Sequence, residues 1–257
     1  MDTRLFLHVK DAVQNGFENV MIRTVDTDVL ILSTLYNSLN AQTLWVDFGM
    51  GKNRCYIPVH DIVLDPIRRK GLRFFYSLTG CDQVSFFSNV TKNTAWKIWQ
   101  VFPEVNETFA TLSDEPTEDC LRNALPLIER FVILHYNQTS NCMLVNECRK
   151  ELFCKGRAIV NIPPTQAALF QQMKRAAYFA GFVWKRSLCR TMLLPLYTFY
   201  GFTEAGKPYW TDLPEASRAV RFLKKCNSKT GCTRNCGCKP LACTELCGCK
   251  GNCSNKK

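Results

Sequence analysis

Residues 18–32, ENVMIRTVDTDVLIL, join two apolar runs through a pair of aspartates. ENVMIRTV follows Asn15-Gly16 and predicts a short β-strand, and DTDVLILSTLYNSL predicts a helix directly after it. Asp26 and Asp28 therefore stand where a strand ends and a helix begins. Two carboxylates in that position can share a divalent cation, but aspartate is also a good helix N-cap, and taken alone the pair fits capping better.

The segments on either side continue the same alternation. DTRLFLHVKDAV carries apolar residues at helical spacing, and QTLWVDFG and NRCYIPVHDI are typical of strands separated by the turn MGKN. A helix, strand, helix, strand order predicts an α/β fold, in which ligands bind at the carboxyl ends of the strands.

A third acid has a similar setting. GLRFFYSLTGCDQVSFF places Asp82 after an apolar helix and a turn at Gly80. Together with DTRLFLHV and RTVDTDVLIL, this segment resembles the internal part of the flap-endonuclease branch of PIN-like nucleases, a three-layer fold. In that family, an acidic helix opening, a strand ending in Asp-x-Asp and a Leu-x-Gly-x-Asp turn hold two metal ions for phosphodiester hydrolysis.

The resemblance covers residues 1–90 and implies catalytic, metal-holding roles for four acids: Asp2, Asp26, Asp28 and Asp82. It implies a Mg²⁺ or Mn²⁺ site at which the strand-end pair and the turn acid come from neighbouring strands of one sheet. Two acids of the family pattern would precede Met1. The sequence is therefore expected to be the downstream part of a longer reading frame, or to be completed by an additional chain, and whether it is an enzyme stays open.

The C-terminal residues carry a second pattern, KKCNSKTGCTRNCGCKPLACTELCGCKGNC. Eight of the chain's 15 cysteines lie within 28 residues: Cys226, Cys232, Cys236, Cys238, Cys243, Cys247, Cys249 and Cys253. The N-terminus has no signal-peptide pattern, and no apolar run is long enough to cross a membrane. Thiolate ligation of zinc is therefore favoured over an oxidised secreted knot or a metallothionein-like metal store.

This pattern resembles a tesmin-type CXC domain, which in its family binds three zinc ions through nine cysteines and contacts DNA. Ser228 stands where the second cysteine of the family pattern is expected. With one ligand missing, we expect about two or three zinc ions and weakened metal affinity rather than a lost fold.

Charge supports a nucleic-acid partner. From residue 221 to the end there are nine Lys and Arg against one acid, Glu245, which accounts for +8 of the chain's +11. Basic residues interleaved among metal ligands are the electrostatic pattern of a phosphate binder. The candidate DNA contacts are Lys224, Lys225, Lys229, Arg234, Lys239 and Lys250.

The middle of the chain predicts helices at KNTAWKIWQVF, EDCLRNALPLIERFVILHYN and VNECRKELF, with a longer one in IPPTQAALFQQMKRAAYFAGFVWKR started by Pro163-Pro164. Their aromatic residues are expected in the core rather than as base-stacking platforms: Trp96, Trp99, Phe179, Phe182 and Trp184. The scattered upstream cysteines are expected to be reduced, small apolar residues.

The sequence therefore predicts four regions: a partial PIN-like domain (1–90), a helical extension (91–200), a linker (201–223) and the CXC zinc-binding module (224–257). The combination also resembles proteins encoded by animal transposable elements. The sequence thus predicts a nuclear, zinc-dependent DNA-binding protein of mobile-element origin, without a membrane partner. Its body, the part of the chain before the CXC module, is predicted to be an incomplete nuclease. The alternative is an active, structure-specific, divalent-metal-dependent nuclease that the CXC module targets to DNA.

Overall fold

A computed structural model describes residues 2–34, 39–62, 64–191, 193–211, 243 and 249. The chain forms two compact units, Met1–Trp210 and Thr211–Lys257. The first unit has a mixed α/β fold. The finer division of the chain at residues 90, 200 and 223 stays a prediction.

A three-stranded sheet forms one side of this unit, with strands β1 (Asn19–Thr24), β2 (Thr43–Phe48) and β3 (Cys55–Pro58) in that order. β1 pairs with β2 in parallel, and β3 pairs with β2 antiparallel. The three strands predicted from sequence are confirmed. The helix between β1 and β2 provides the crossover that two parallel neighbours need.

Two helices cover the sheet: α1 (Asp2–Gln14) and α2 (Thr27–Ser33). Phe6 of α1 and Leu32 of α2 are fully buried against Leu44 and Val46 of the central strand. The spacing of apolar residues in DTRLFLHVKDAV and DTDVLIL therefore matches the faces that these helices bury.

Within the described part of the chain six further helices follow, and they hold the larger of the two hydrophobic clusters. Their bounds are α3 (Pro66–Leu78), α4 (Lys92–Val101), α5 (Asn106–Leu112), α6 (Glu118–Tyr136), α7 (Val145–Cys154) and α8 (Gln166–Tyr178), the last continuing as a π-helix (Phe179–Trp184).

The helices predicted for this region are confirmed, with two differences. The longer helix begins at the N-cap Thr165, whose hydroxyl accepts from the backbone N–H of Ala168, rather than at Pro163-Pro164. The short helix α5 was not predicted, because it spans only seven residues and has no side-chain cap.

Three of the five aromatic residues predicted for the core are buried, and Trp96 and Phe179 are partly buried against it. Trp99 is fully buried and stacks on Phe75 with ring centroids 4.6 Å apart, and Phe182 and Trp184 are also buried. The prediction for the scattered cysteines is only partly right. Cys148 is buried, but Cys55, Cys154 and Cys189 are exposed.

α3 belongs to both hydrophobic clusters. Phe75 and Leu78 pack with the helical cluster, whereas Tyr76 packs with the sheet cluster, where its ring lies 6.1 Å from that of Trp184. All residues from 71 to 80 are buried. The end of this helix is therefore the place where the two clusters meet.

None of the helices within the described ranges is both long enough and apolar enough to span a lipid bilayer.

The packing of α3 on α5 leads to a stability prediction. A Cβ added at Gly71 would lie 2.8 Å from Cβ of Phe109 and 3.2 Å from the backbone N of Ala110. Alanine in a helix gains up to about 1 kcal/mol over glycine, but overpacking costs roughly 1–3 kcal/mol. We expect Gly71→Ala to lower the free energy of unfolding by about 1–2 kcal/mol in urea denaturation.

The matched control is Lys97→Ala, an exposed position on α4 that should change stability by less than about 0.5 kcal/mol. Equal stability of the Gly71→Ala variant and the wild type would contradict the close packing of α3 on α5.

Candidate functional site

Asp26 caps helix α2. It follows the end of β1 in an extended conformation, and its Oδ1 accepts a hydrogen bond of 2.8 Å from the backbone N–H of Asp28. Thr24 Oγ1 in turn accepts from the N–H of Asp26 at 3.0 Å. The capping interpretation is confirmed for Asp26, and it commits one of the two carboxylate oxygens to the helix.

Asp28 is a buried carboxylate in the first turn of α2, with 6% of its surface exposed. Its side chain is hydrogen-bonded to the hydroxyl of Tyr76 on α3. Burial, with the Asp28 carboxylate as a second cause, raises the pKa of Tyr76 above its ordinary value. Tyr76 therefore stays neutral and donates a hydrogen bond to Asp28.

Asp82 lies in the turn that follows α3. Gly80 has a φ of +111°, and a Cβ there would lie 2.6 Å from Cβ of Phe86, so only glycine fits. Cys81 and Val84 close the turn with two backbone hydrogen bonds of 3.0 and 3.2 Å, and Asp82 is exposed at its tip. The helix and the turn predicted before Asp82 are confirmed. The expectation that this acid and the strand-end pair come from neighbouring strands of one sheet is wrong, because α3 and not a strand leads to Asp82.

Lys92 is the residue that sequence reasoning missed. It is the first residue of α4, and its ammonium donates to the carbonyl of Tyr76 at 2.9 Å, to the carbonyl of Gly80 and to Thr79 Oγ1 at 3.3 Å. It also lies 3.6 Å from the centre of the Tyr76 ring. No motif marks this lysine, because its role depends on how α4 packs against the end of α3.

Charges of both signs meet around Tyr76. Burial lowers the pKa of Lys92 to about 8, while Cys81 and Asp28 act to raise it. Burial also raises the pKa of the half-buried Cys81 thiol, with Asp28 as a minor cause. The negative charge of Asp28 and the positive charge of Lys92 therefore stabilise each other in a poorly hydrated environment.

Gln172 on α8 completes the contacts at this helix end. Its Nε2 donates to the carbonyl of Leu78 at 2.8 Å and to the carbonyl of Ser85 at 2.9 Å. The turn between α3 and α4 is thus fixed by side chains from α4 and α8, and the position of Asp82 is fixed with it.

The chemistry of Asp26 and Asp28 suits a hard divalent cation, which binds oxygen ligands. Among the residues that the structure describes, no group of three or more His, Cys, Asp or Glu side chains is close enough together to hold one ion. Asp2 is the first residue of α1, and its side chain lies outside the described part of the chain. The divalent-metal site stays a prediction.

The predicted zinc and DNA residues belong to the second unit. Two of the eight cysteines are described: Cys243 is half-buried and Cys249 is buried. The other six lie outside the described residues, as do the six candidate DNA contacts from Lys224 to Lys250. The zinc-binding module also stays a prediction.

Comparison of the chain with protein-family models, with curated proteins and with solved structures gives no match. The resemblances to PIN-like nucleases and to CXC domains therefore rest on the motifs themselves.

The pairing of Asp28 with Lys92 leads to a prediction about protonation. In Asp28→Asn the carboxylate charge that favours the ammonium form is lost, so the pKa of Lys92 should fall below its value of about 8. The measurement is an NMR titration of the Lys92 side chain between pH 6 and 10.

Asp11→Asn is the matched control, since Asp11 is an exposed carboxylate of α1 and does not act on Lys92. The same Lys92 pKa in both variants would show that the Asp28 charge does not reach the ammonium group.

Proposed function

We propose that this chain is a zinc-dependent DNA-binding protein of mobile-element origin that acts in the nucleus. Its CXC module contacts DNA, and its α/β body is a nuclease-like domain without full activity. The observation that carries the proposal is the pattern of residues 224–253, in which eight cysteines, four of them in two Cys-x-Cys pairs, are interspersed with Lys and Arg.

Zinc and charge act together in such a module. Thiolate ligands hold a short segment that lacks a large apolar core, so metal binding supplies the free energy of folding. Basic side chains such as Lys225, Lys229 and Arg234 lie close to one another in sequence, and in such a fold they would concentrate positive charge, as a phosphate binder requires. Their contacts with phosphates release counterions from DNA, which gives affinity without sequence readout.

The environment of the acids supports limited activity of the body. One oxygen of Asp26 accepts the capping hydrogen bond of α2, and Asp28 is bound by Tyr76 and faces the charge of Lys92. A cation that used both carboxylates would compete with these partners. The alternative function is an active divalent-metal-dependent nuclease that the CXC module targets to DNA. It would use Asp26 and Asp28 together with Asp82.

Metal content is the first test. We expect about two or three zinc ions per chain, released by a chelator with loss of structure after Lys224 but not before it, because Met1–Trp210 has its own core. Elemental analysis measures the zinc, and NMR spectra of the protein with and without chelator locate the structural change.

Protein purified under reducing conditions that contains no zinc would contradict the cluster. If the chelator also removed the NMR signals of the core residues Trp99 and Phe131, the expectation that Met1–Trp210 folds without zinc would be contradicted.

DNA affinity is the second test. Replacing Lys225, Lys229 and Arg234 by Gln should weaken binding to DNA of any sequence and make its salt dependence less steep by up to about three ions. Fluorescence anisotropy across a salt series measures both quantities.

The control replaces Lys52, Lys97 and Lys150, which are exposed in the first unit, by Gln and thus makes the same change in net charge. Wild-type affinity and salt dependence in the first triple variant would overturn the assignment of the basic surface. Mg²⁺-dependent cleavage of the DNA that disappears in Asp28→Asn would establish the alternative function.

A further inference from the structure

A cavity of about 460 Å³ lies between the C-terminal end of α6, the loop before α4 and the connection between α7 and α8. It belongs to the first unit. Eight described residues line it; one, Arg157, is basic and none is acidic.

The walls of this cavity are fixed by hydrogen bonds between distant parts of the chain. Asn89 Nδ2 donates to Asn161 Oδ1 at 2.5 Å, and Arg157 Nη1 donates to the carbonyl of Tyr136 at 2.9 Å. The hydroxyl of Tyr136 donates to the carbonyl of Ser88 at 3.1 Å. The cavity is therefore preorganised rather than a gap between loosely placed loops.

His135 lines the cavity and has unsatisfied polar atoms. Its ring packs against Phe131 and Phe87, with centroids 4.5 and 5.8 Å apart, and both ring nitrogens are shielded from solvent. Among the described residues neither nitrogen has a hydrogen-bond partner. The ring of His135 is therefore held by packing, and its signals report a change in the cavity that it lines.

The remaining donors favour an anion. A guanidinium carries five N–H donors, of which Arg157 spends one on Tyr136, and the Asn161 amide still has its NH₂ group when its oxygen accepts from Asn89. Unused N–H groups on Arg157 and Asn161, with positive charge and no carboxylate in the lining, suit a tetrahedral oxyanion with several acceptor oxygens.

We propose that this cavity binds a phosphate group, with the exposed Arg157 and Asn161 as donors and the ring of His135 as part of its wall. The group is either that of a free phosphate ester or a phosphodiester of nucleic acid. The site does not depend on the zinc module or on the acids near Tyr76.

The chain has only three histidines, so the imidazole signals of the full-length protein can be assigned by single substitutions and followed by NMR. Burial lowers the pKa of His135 to about 3, so its ring stays neutral during a titration at pH 7. Inorganic phosphate is added in one arm at constant ionic strength, and single-stranded oligo-dT in the other. A saturable shift of the His135 signals, without a matching shift of His8 and His60, is the expected result.

Three variants make the test specific. Arg157→Gln removes the charge, and Asn161→Asp keeps the acceptor for Asn89 but adds a negative charge, so each should weaken binding by roughly tenfold or more. Lys155→Gln is the matched control, because Lys155 is a neighbouring basic residue that pairs with Glu151 and does not line the cavity.

The two arms identify the source of the phosphate. The comparison is between the concentrations of phosphate groups at which the His135 shift saturates. A lower concentration for inorganic phosphate indicates a free phosphate ester, and a lower concentration for oligo-dT indicates a nucleic-acid backbone. His135 signals that do not move, that move linearly without saturation, or that respond equally in Asn161→Asp and Lys155→Gln would overturn the proposal.

Discussion

The buried C-terminal end of α3 is the constraint on which the first unit depends. The last carbonyls of a helix have no partners within the helix, and in α3 they lie where water does not reach. Thr79 Oγ1 donates to the carbonyl of Phe75 at 2.8 Å, Lys92 to those of Tyr76 and Gly80, and Gln172 to that of Leu78. The carbonyl of Phe75 also accepts from the backbone N–H of Thr79 at 3.1 Å. Without Gln172, the carbonyl of Leu78 would cost about 1–3 kcal/mol of desolvation.

The same donors determine what surrounds the acids. An ammonium placed at a helix C-terminus interacts favourably with the helix dipole, and here it also lies above the ring of Tyr76, whose hydroxyl binds Asp28. Satisfying the end of α3 therefore brings a positive charge next to Asp28. The stability of the helix end and the electrostatics of the candidate site have one origin, so a substitution at Lys92 changes both.

Much of the fold was open to prediction from the sequence. Apolar periodicity indicated the strands and most helices, because each buries one face against the nearest cluster. The cap at Asp26 also follows from local rules. Local rules do not predict the contacts of Lys92, nor that the ring nitrogens of His135 have no hydrogen-bond partner among the described residues. Both depend on which helices meet in space. Asp82 shows the limit of motif reasoning: the helix and the tight turn at Gly80 were correctly indicated, but the resemblance wrongly implied that Asp82 comes from a strand of the sheet.

α3 also bears on how such a chain evolves. Its faces are divided between the sheet cluster and the helical cluster, with Tyr76 on one side and Phe75 and Leu78 on the other. A recombination event that separated the sheet from the later helices would leave one face of α3 without its partners. It would also remove the hydrogen-bond donors Lys92 or Gln172 from the carbonyls at the end of α3. The two clusters are therefore inherited together, and new functions are gained more easily by attaching segments outside Met1–Trp210 than by exchanging parts within it.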